Sequence, residues 1–298
     1  MLELLWFLLP VAAASGWYAA RRHPVAAERP KSALPANYYQ GVNFLLNEQP
    51  DKAIEVFTGM FEVNSETVEI HMVLGNLFRR RGEVDRAIRI HQNLIARTTL
   101  TSVQRSQAML ELGQDYVHVG LFDRAESLFQ EIVELQTHSE AALRHLLAIY
   151  QQEKEWQNAI GVALQLQKEC TVNTAPVVAH FYCELAELQL TRNDLDAAQA
   201  LFNRAATSDA HCVRAILGLG NLMRQARQYE AAIRLYQSVE QQDESYLPEV
   251  MDPLRVCFLA LNQQAHLEDY LRALSSRYSG IAPLLLLTDL LRNTQGAT

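Results

Sequence analysis

A 34-residue interval between small side chains recurs along this chain of 298 amino acids. It separates Gly41 from Gly75, and it returns between three pairs of alanines: Ala53 and Ala87, Ala125 and Ala159, Ala198 and Ala232. A fixed period of this length indicates a repeat architecture in which every unit is one small supersecondary element. The interval therefore predicts an all-α chain made of repeated helix-turn-helix units.

The unit around Gly75 shows how the pattern would fold. Gly75 lies among large apolar residues, Gly82 ends the first helix, and acidic residues precede Ala87 on the second helix. Two helices approach closely only where side chains are small, so Gly75 and Ala87 are predicted to mark their contact. A 34-residue helical hairpin with these positions is typical of the tetratricopeptide (TPR) repeat, whose arrays commonly hold other proteins.

Six units carry this pattern. A seventh, from about Val250 to Ala273, has apolar periodicity without the glycine or the alanine, so it is either a degenerate repeat or an unfinished one. Two register slips predict longer connections at residues 98–106 and 169–176. The predicted fold is an all-α, superhelical TPR solenoid of about six to seven repeats over residues 37–273, with a truncated or partial last repeat at 274–298.

Composition argues against several kinds of function. The net charge of −8 does not favour a nucleic-acid-binding surface. The chain has no phosphate-binding glycine loop and no hydrolase or zinc-protease motif, and its carboxylates fall mainly at turns. We therefore expect no enzyme activity, no bound cofactor and no nucleic-acid partner.

The four cysteines form no Cys-x-x-Cys pair. His180 with Cys183, and His211 with Cys212, are an alternative pair of half-sites for a metal, but they lie in different repeats. Small apolar residues packed between helices in a reducing compartment explain the cysteines more simply, so no metal site is expected.

The amino terminus is an apolar run with no Lys or Arg before Arg21 and Arg22. Residues 1–20 have about the length that spans a bilayer core. The residues expected in or beside the membrane are Leu4, Leu5, Trp6, Phe7, Leu8, Leu9, Trp17, Tyr18, Arg21 and Arg22. A cleaved signal peptide is the alternative, but positive charge after the apolar run favours a retained single-pass helix with the repeats in the cytoplasm.

Residues 21–36 contain three prolines and four Lys or Arg residues, which predicts a short, stiff juxtamembrane linker. Its basic side chains would lie near anionic lipid headgroups. The repeats are thus expected to be held close to the membrane surface.

Partner-binding candidates follow from the helical period. Positions 2, 5, 9 and 12 of the first helix of each repeat share one face, and stacking of repeats turns these faces into a concave groove. Amide side chains there can contact a peptide backbone and arginines can pair with carboxylates. The candidates are Glu69, Met72, Asn76, Arg79, Arg80, Gln114, His118, Arg144, Arg214, Asn221 and Arg224. The alternative is that these polar side chains simply face solvent on the helix surface.

Several longer strings resemble one bacterial family. They are Met1-Leu2-Glu3-Leu4-Leu5, the run from Leu74 to Arg79, the run from Gly82 to Gln92, and Ala179-His180-Phe181-Tyr182-Cys183-Glu184-Leu185-Ala186. The second and third strings go far beyond what a TPR repeat demands. Over nearly its whole length the chain resembles the lipopolysaccharide assembly protein B family of Gram-negative bacteria.

The resemblance implies a protein of the bacterial inner membrane with cytoplasmic TPR repeats. Its implied partners are an FtsH-type membrane protease, the deacetylase of the lipid A pathway, which it would direct to that protease, and an inner-membrane regulator that antagonises it. The family also ends in a rubredoxin-like metal module with two Cys-x-x-Cys pairs, and the chain stops at Thr298 without them. A truncated or divergent form is therefore expected.

Two other functions stay open at this point. The chain could be a generic membrane-tethered TPR scaffold for another envelope assembly or secretion complex. It could also form homo-oligomers, since the apolar segment near Leu284 would lack its usual neighbour.

Overall fold

The computed structural model describes residues 36–47, 68–98 and 100–295, together with residues 15, 17, 18, 49, 52, 53, 55 and 56. Helices and turns account for the regular structure of these residues, and no strand occurs among them. The chain divides into two compact units, of which the first ends at Leu121 and the second begins at Phe122. The all-helical TPR architecture is confirmed.

The first unit contains four described helices: α1 (Ala36–Leu46), α2 (Val68–Arg80), α3 (Val84–Ile95) and α4 (Ser102–His118). Helices α2 and α3 form a hairpin, and α4 packs against both of them. A capping box starts α4, because the Gln104 N–H donates to Thr101 Oγ1 and the Thr101 N–H donates to Gln104 Oε1, each at 3.2 Å.

The second unit continues with hairpins placed side by side. Its helices are α5 (Phe122–Glu134), α6 (Ser139–Gln152), α7 (Trp156–Cys170), α8 (Ala175–Thr191), α9 (Leu195–Ser208), α10 (Val213–Gln225), α11 (Tyr229–Gln242), α12 (Leu247–Ala260), α13 (Gln264–Arg277) and α14 (Ala282–Gln295). Each helix from α5 onwards contacts the next one along the chain. The predicted solenoid arrangement is thus present inside this unit, with each hairpin packed on its neighbours.

Tight turns join the two helices of each hairpin. Among the described residues, Gly82, Lys154, Asn193, Arg227 and Asn262 have a positive φ in turns inside the units, and Gly120 has one just before the second unit begins. Glycine adopts this left-handed conformation without strain, which explains the turn glycines of the second and third repeats. Asn262 extends the series into the seventh repeat, where α12 and α13 form a complete hairpin.

The register slips arise chiefly from longer helices. Helices α4 and α8 have 17 residues each, whereas α2 and α10 have 13. An insertion of about four residues adds one helical turn and keeps the apolar face in register. The connection between α7 and α8 holds only residues 171–174, so the expected longer loop there is wrong and an extra turn of helix takes its place.

Close helix contact at the repeat glycine is confirmed, but the predicted neighbour is different. A Cβ built on Gly75 would lie 2.4 Å from Nε2 of His91, so the histidine ring and not Ala87 occupies the space beside it. In the second unit a Cβ on Gly220 would lie 2.5 Å from Cε1 of Tyr236. In these two hairpins the glycine of the first helix therefore accommodates a ring from the second helix.

Helix α14 closes the carboxyl-terminal end of the described chain. Leu286 and Leu290 are buried against α12 and α13, whereas Leu284 and Leu285 are 48% and 57% exposed. The apolar segment near Leu284 is thus an amphipathic helix packed on the last hairpin, with one face open.

Most of the predicted membrane segment lies outside the described residues, as do Leu4 to Leu9, Arg21, Arg22 and nearly all of the 21–36 linker. Trp17 and Tyr18 are described and are 62% and 54% exposed. Within the part of the chain that the structure describes, no helix combines the length and apolar character needed to cross a membrane. The transmembrane helix stays a prediction.

Candidate partner-binding residues in the two units

Arg79 is the centre of an ionic network in the first unit. Its Nη1 donates to Asp115 Oδ1 at 2.8 Å, and its Nη2 donates to Glu111 Oε2 at 2.8 Å. Asn76 Oδ1 and Gln114 Oε1 accept two more bonds from Nη2, at 2.9 Å and 3.0 Å. The Arg79 side chain is only 12% exposed, so both ends of its guanidinium group are already occupied by the next repeat and by its own helix.

A buried histidine completes this network. His91 Nδ1 lies 2.5 Å from Asp115 Oδ2, and both side chains are 0% exposed. Nε2 of His91 is buried with no hydrogen-bond partner and faces Gly75. Asp115 therefore joins α3 to α2 through its two oxygens, one on His91 and one on Arg79. We call Arg79, His91, Glu111 and Asp115 the Arg79 network.

The other candidates of the first unit differ in exposure. Glu69, Arg80 and His118 are exposed on the ends of α2 and α4. Met72 is 8% exposed and belongs to an apolar cluster with Val68, Leu94 and Ala108. Of the five predicted residues on α2, Glu69 and Arg80 thus offer open surface, and Met72 stabilises the core.

The second unit contains a cleft of about 340 Å³ beside α8, α9 and α10. Phe202 and Leu190 provide apolar lining, and Gly218 lets α10 approach the Phe202 ring, since a Cβ there would lie 2.4 Å from Cζ. The polar lining residues are Glu187, Arg214, Asn221 and Gln225. We call this cavity the α8–α10 cleft. It brings together two of the predicted groove residues, Arg214 and Asn221.

Arg214 is held by acidic residues of the preceding repeat. Its Nη1 donates to Glu184 Oε1 at 2.6 Å and its Nη2 lies 2.7 Å from Glu187 Oε1. Partial burial alone would lower the pKa of Arg214, but the hydrogen bonds with Glu184 and Glu187 outweigh it and raise the pKa above its ordinary value. The arginine therefore stays charged and forms a fixed side of the cleft.

Asn221 is oriented by a tyrosine of the following helix. The Tyr236 hydroxyl donates to Asn221 Oδ1 at 2.8 Å, and Tyr236 itself is fully buried. With the oxygen used in this way, the amide Nδ2 is the group that Asn221 can offer to an acceptor in the cleft. An amide donor of this kind can bind the carbonyl of an extended peptide.

Arg224 lies one turn further along α10 and has a different environment from Arg79. Its Nε is buried without a hydrogen-bond partner, and no carboxylate pairs with it among the described residues. Burial raises the pKa of Tyr236, and the nearby Arg224 guanidinium opposes that rise. Arg79 and Arg224 occupy the same repeat position, but among the described residues carboxylates balance the charge of Arg79 and not that of Arg224.

Arg144, the candidate of the fourth repeat, is exposed and pairs with Glu140 one turn earlier on α6 at 2.8 Å. The exposed positions and the α8–α10 cleft are compatible with peptide binding. Partner contact by the eleven groove candidates stays a prediction.

Two relationships in the structure were not predicted from the sequence. His91 and Asp115 were not recognised as a pair, although His91 stands 16 residues after Gly75, where Tyr236 stands after Gly220. Cys183 and Cys212, treated separately, lie with their sulfurs 3.8 Å apart, and all four cysteines are free thiols. In the residues that the structure covers, no group of three or more His, Cys, Asp or Glu is arranged to hold a metal ion.

Comparison with known proteins agrees with this architecture. Family models of the tetratricopeptide repeat match residues 71–102 and 183–246. Lipopolysaccharide assembly protein B of Escherichia coli K12 is 40% identical over 298 residues, which is 100% of this chain and 77% of the relative. The chain belongs to the lipopolysaccharide assembly protein B family. The Haemophilus influenzae member is 39% identical over 280 residues, covering 91% of this chain and 70% of the relative.

Solved structures support the fold alone. A structure of Naa15/Naa10 bound to HypK-THB has a TM-score of 0.51 and 13% identity, and the match covers 86% of this chain and 38% of that one. Family membership and architecture together make the chain a TPR protein of the lipopolysaccharide assembly protein B family.

Proposed function

We propose that this chain is a non-catalytic TPR adaptor that regulates lipopolysaccharide assembly from the cytoplasmic face of the bacterial inner membrane. It brings the deacetylase of the lipid A pathway to an FtsH-type membrane protease for degradation. The observation that supports this most strongly is 40% identity with lipopolysaccharide assembly protein B along the full 298 residues.

Membrane attachment is the second part of the proposal. The apolar run of residues 1–20 is followed by Arg21 and Arg22, and positive charge next to a membrane helix stays in the cytoplasm. One retained helix would hold the repeats beside a membrane protease, which raises the local concentration of each partner. An inner-membrane regulator would contact the same segment.

The α8–α10 cleft provides a place for a bound segment of a partner. Its lining combines apolar side chains with an amide donor at Asn221 and a fixed positive charge at Arg214. The Arg224 guanidinium, which has no carboxylate partner among the described residues, lies on the same helix and favours a carboxylate on the ligand. A short extended peptide with an acidic group fits this combination.

Co-purification tests the proposal. The tagged 298-residue chain would be extracted from bacterial membranes in mild detergent, and bound proteins identified by mass spectrometry. We expect recovery of both the membrane protease and the deacetylase, with the deacetylase reduced in an Asn221→Ala, Arg224→Ala double variant. An Arg227→Ala variant, changed at an exposed turn, is the matched control and should recover both.

Recovery of neither the protease nor the deacetylase would contradict the proposal. Recovery of a different set of envelope proteins by the same chain would favour the general scaffold function.

A further inference from the structure

Two cysteines from successive repeats meet beside the α8–α10 cleft. Cys183 lies on α8 and is fully buried, whereas Cys212 is the residue before α10 and is partly exposed. Their sulfur atoms are 3.8 Å apart, although the residues are 29 positions apart in the chain. A disulfide needs about 2.05 Å between sulfurs, so side-chain rotation and a small adjustment of the backbone must shorten this contact.

The environment makes the two sulfurs chemically unequal. The hydrogen bond from the Cys183 thiol, with a further one from the backbone N–H of Ala215, lowers the pKa of Cys212 to about 6. The same contact and burial raise the pKa of Cys183 above its ordinary value. Cys212 is thus the accessible thiolate at neutral pH, and Cys183 is the protonated thiol behind it.

Charged neighbours agree with this assignment. Arg214, two residues after Cys212, favours the thiolate, while Asp209 disfavours it. Arg214 also pairs with Glu184, the residue after Cys183, at 2.6 Å. The thiol pair therefore lies directly beside the ion pairs that form one side of the cleft.

We infer that Cys183 and Cys212 are a reactive thiol pair, in which Cys212 is the site of attack on a hydroperoxide and Cys183 is the resolving thiol. This inference is independent of the proposed adaptor function, because it concerns the chemistry of the pair and not the identity of a partner.

The reaction balances in two steps. The Cys212 thiolate attacks one peroxide oxygen and the O–O bond breaks, which gives a sulfenic acid on Cys212. The other oxygen leaves as alkoxide or hydroxide and takes a proton from solvent to become alcohol or water. Cys183 sulfur then attacks the sulfenic sulfur, the S–O bond breaks, and water leaves with the Cys183 proton. The two thiols are oxidised to a disulfide and one hydroperoxide is reduced.

The product would join α8 to the start of α10. These two helices border the cleft and belong to successive repeats. Oxidation therefore fixes the spacing of the two helices, and reduction by a dithiol releases it.

Thiol counting on the complete chain tests the inference. The reduced chain has four cysteines, and treatment with equimolar hydrogen peroxide should leave two that react with an alkylating agent after denaturation. Intact mass should fall by two hydrogens, and digestion should yield one linked peptide containing Cys183 and Cys212. Cys170→Ser is the matched control and should form the same linked peptide.

Variants separate the two roles. Cys183→Ala, with Cys183→Ser as a second variant at this buried position, should accumulate a sulfenic acid on Cys212 that dimedone captures. Cys212→Ser lacks the attacking thiolate, so Cys183 should stay reactive with the alkylating agent after peroxide treatment. Four remaining thiols in the parent chain after peroxide, or equal dimedone capture in Cys183→Ala and Cys212→Ser, would overturn the inference.

Discussion

Asp115 and Arg79 form a 2.8 Å ion pair between the first helices of two successive repeats, and the Asp115 side chain has no exposure to solvent. The other Asp115 oxygen contacts His91. One carboxylate thereby links α2, α3 and α4, and it neutralises an arginine that sequence periodicity placed in the partner groove.

Removing this carboxylate is expected to destabilise the first unit strongly. Asp115→Ala leaves Arg79 and His91 buried without their main acceptor, and loss of one member of a buried pair costs about 3–5 kcal/mol. Urea denaturation followed by circular dichroism measures the loss. Glu140→Ala, which removes the exposed pair with Arg144, should change stability by less than about 1 kcal/mol. Similar effects of both variants would contradict a structural role for the network.

Replacing the two arginines at the same repeat position is expected to lower stability by different amounts. Arg79→Ala strands Glu111 and Asp115 and should cost more than about 2 kcal/mol of unfolding free energy. Arg224→Ala removes a group with a buried, unpartnered Nε, so it should cost less than about 1 kcal/mol. Chemical denaturation of the two variants decides the point, and a larger loss from Arg224→Ala would contradict the assignment.

Two glycine-to-alanine substitutions should change stability in opposite directions, because one glycine lies against another helix and the other does not. Gly218→Ala places a Cβ 2.4 Å from the buried Phe202 ring and should destabilise the chain by about 1–3 kcal/mol. In Gly161→Ala, at an exposed position of α7, the new Cβ meets no atom within 4 Å, so the substitution should stabilise the chain by about 0.5–1 kcal/mol. Thermal melts would show shifts of opposite sign. Equal shifts in melting temperature for the two variants would contradict close contact between Gly218 and the Phe202 ring.

Alkylation of Cys212 should depend on pH in an unusual range. The hydrogen bond from Cys183 lowers the pKa of Cys212 to about 6, so the thiolate forms as pH rises through about 6. An unperturbed thiol is half ionised at about pH 8.5. Iodoacetamide labelling rates at position 212, read by mass spectrometry, should therefore be half-maximal near about pH 6.

The Cys183→Ala variant lacks the sulfur donor, so the midpoint at Cys212 should move upward towards the ordinary value. A midpoint near about pH 8.5 in the parent chain would show that the hydrogen bond does not act on Cys212.

Sequence periodicity predicted the helical hairpins because a 34-residue spacing and alternating small and large residues are local signals. It did not predict that Arg79 is neutralised, since Glu111 and Asp115 come from the next repeat and their approach depends on the longer helix α4. The Cys183–Cys212 contact joins residues 29 apart and has no motif. Side-chain contacts between successive repeats could therefore be identified only from the structure.

The α8–α10 cleft was predicted only in part for the same reason. Arg214 and Asn221 follow from the helical period, but the Phe202 lining comes from the preceding repeat and requires Gly218 beside it. Met72 was predicted to face the groove, but it is buried in the packed core. The helical period places it on the same stripe of α2 as the exposed candidates and does not distinguish the two environments.

The rate at which the lipid A pathway deacetylase is degraded tests the central claim most directly. The FtsH-type protease, reconstituted in bilayers with the deacetylase and ATP, would be assayed with and without the 298-residue chain. The account predicts faster loss of the deacetylase when the chain is present, and a smaller acceleration with the Asn221→Ala, Arg224→Ala variant. A degradation rate that is unchanged by the folded parent chain would contradict it.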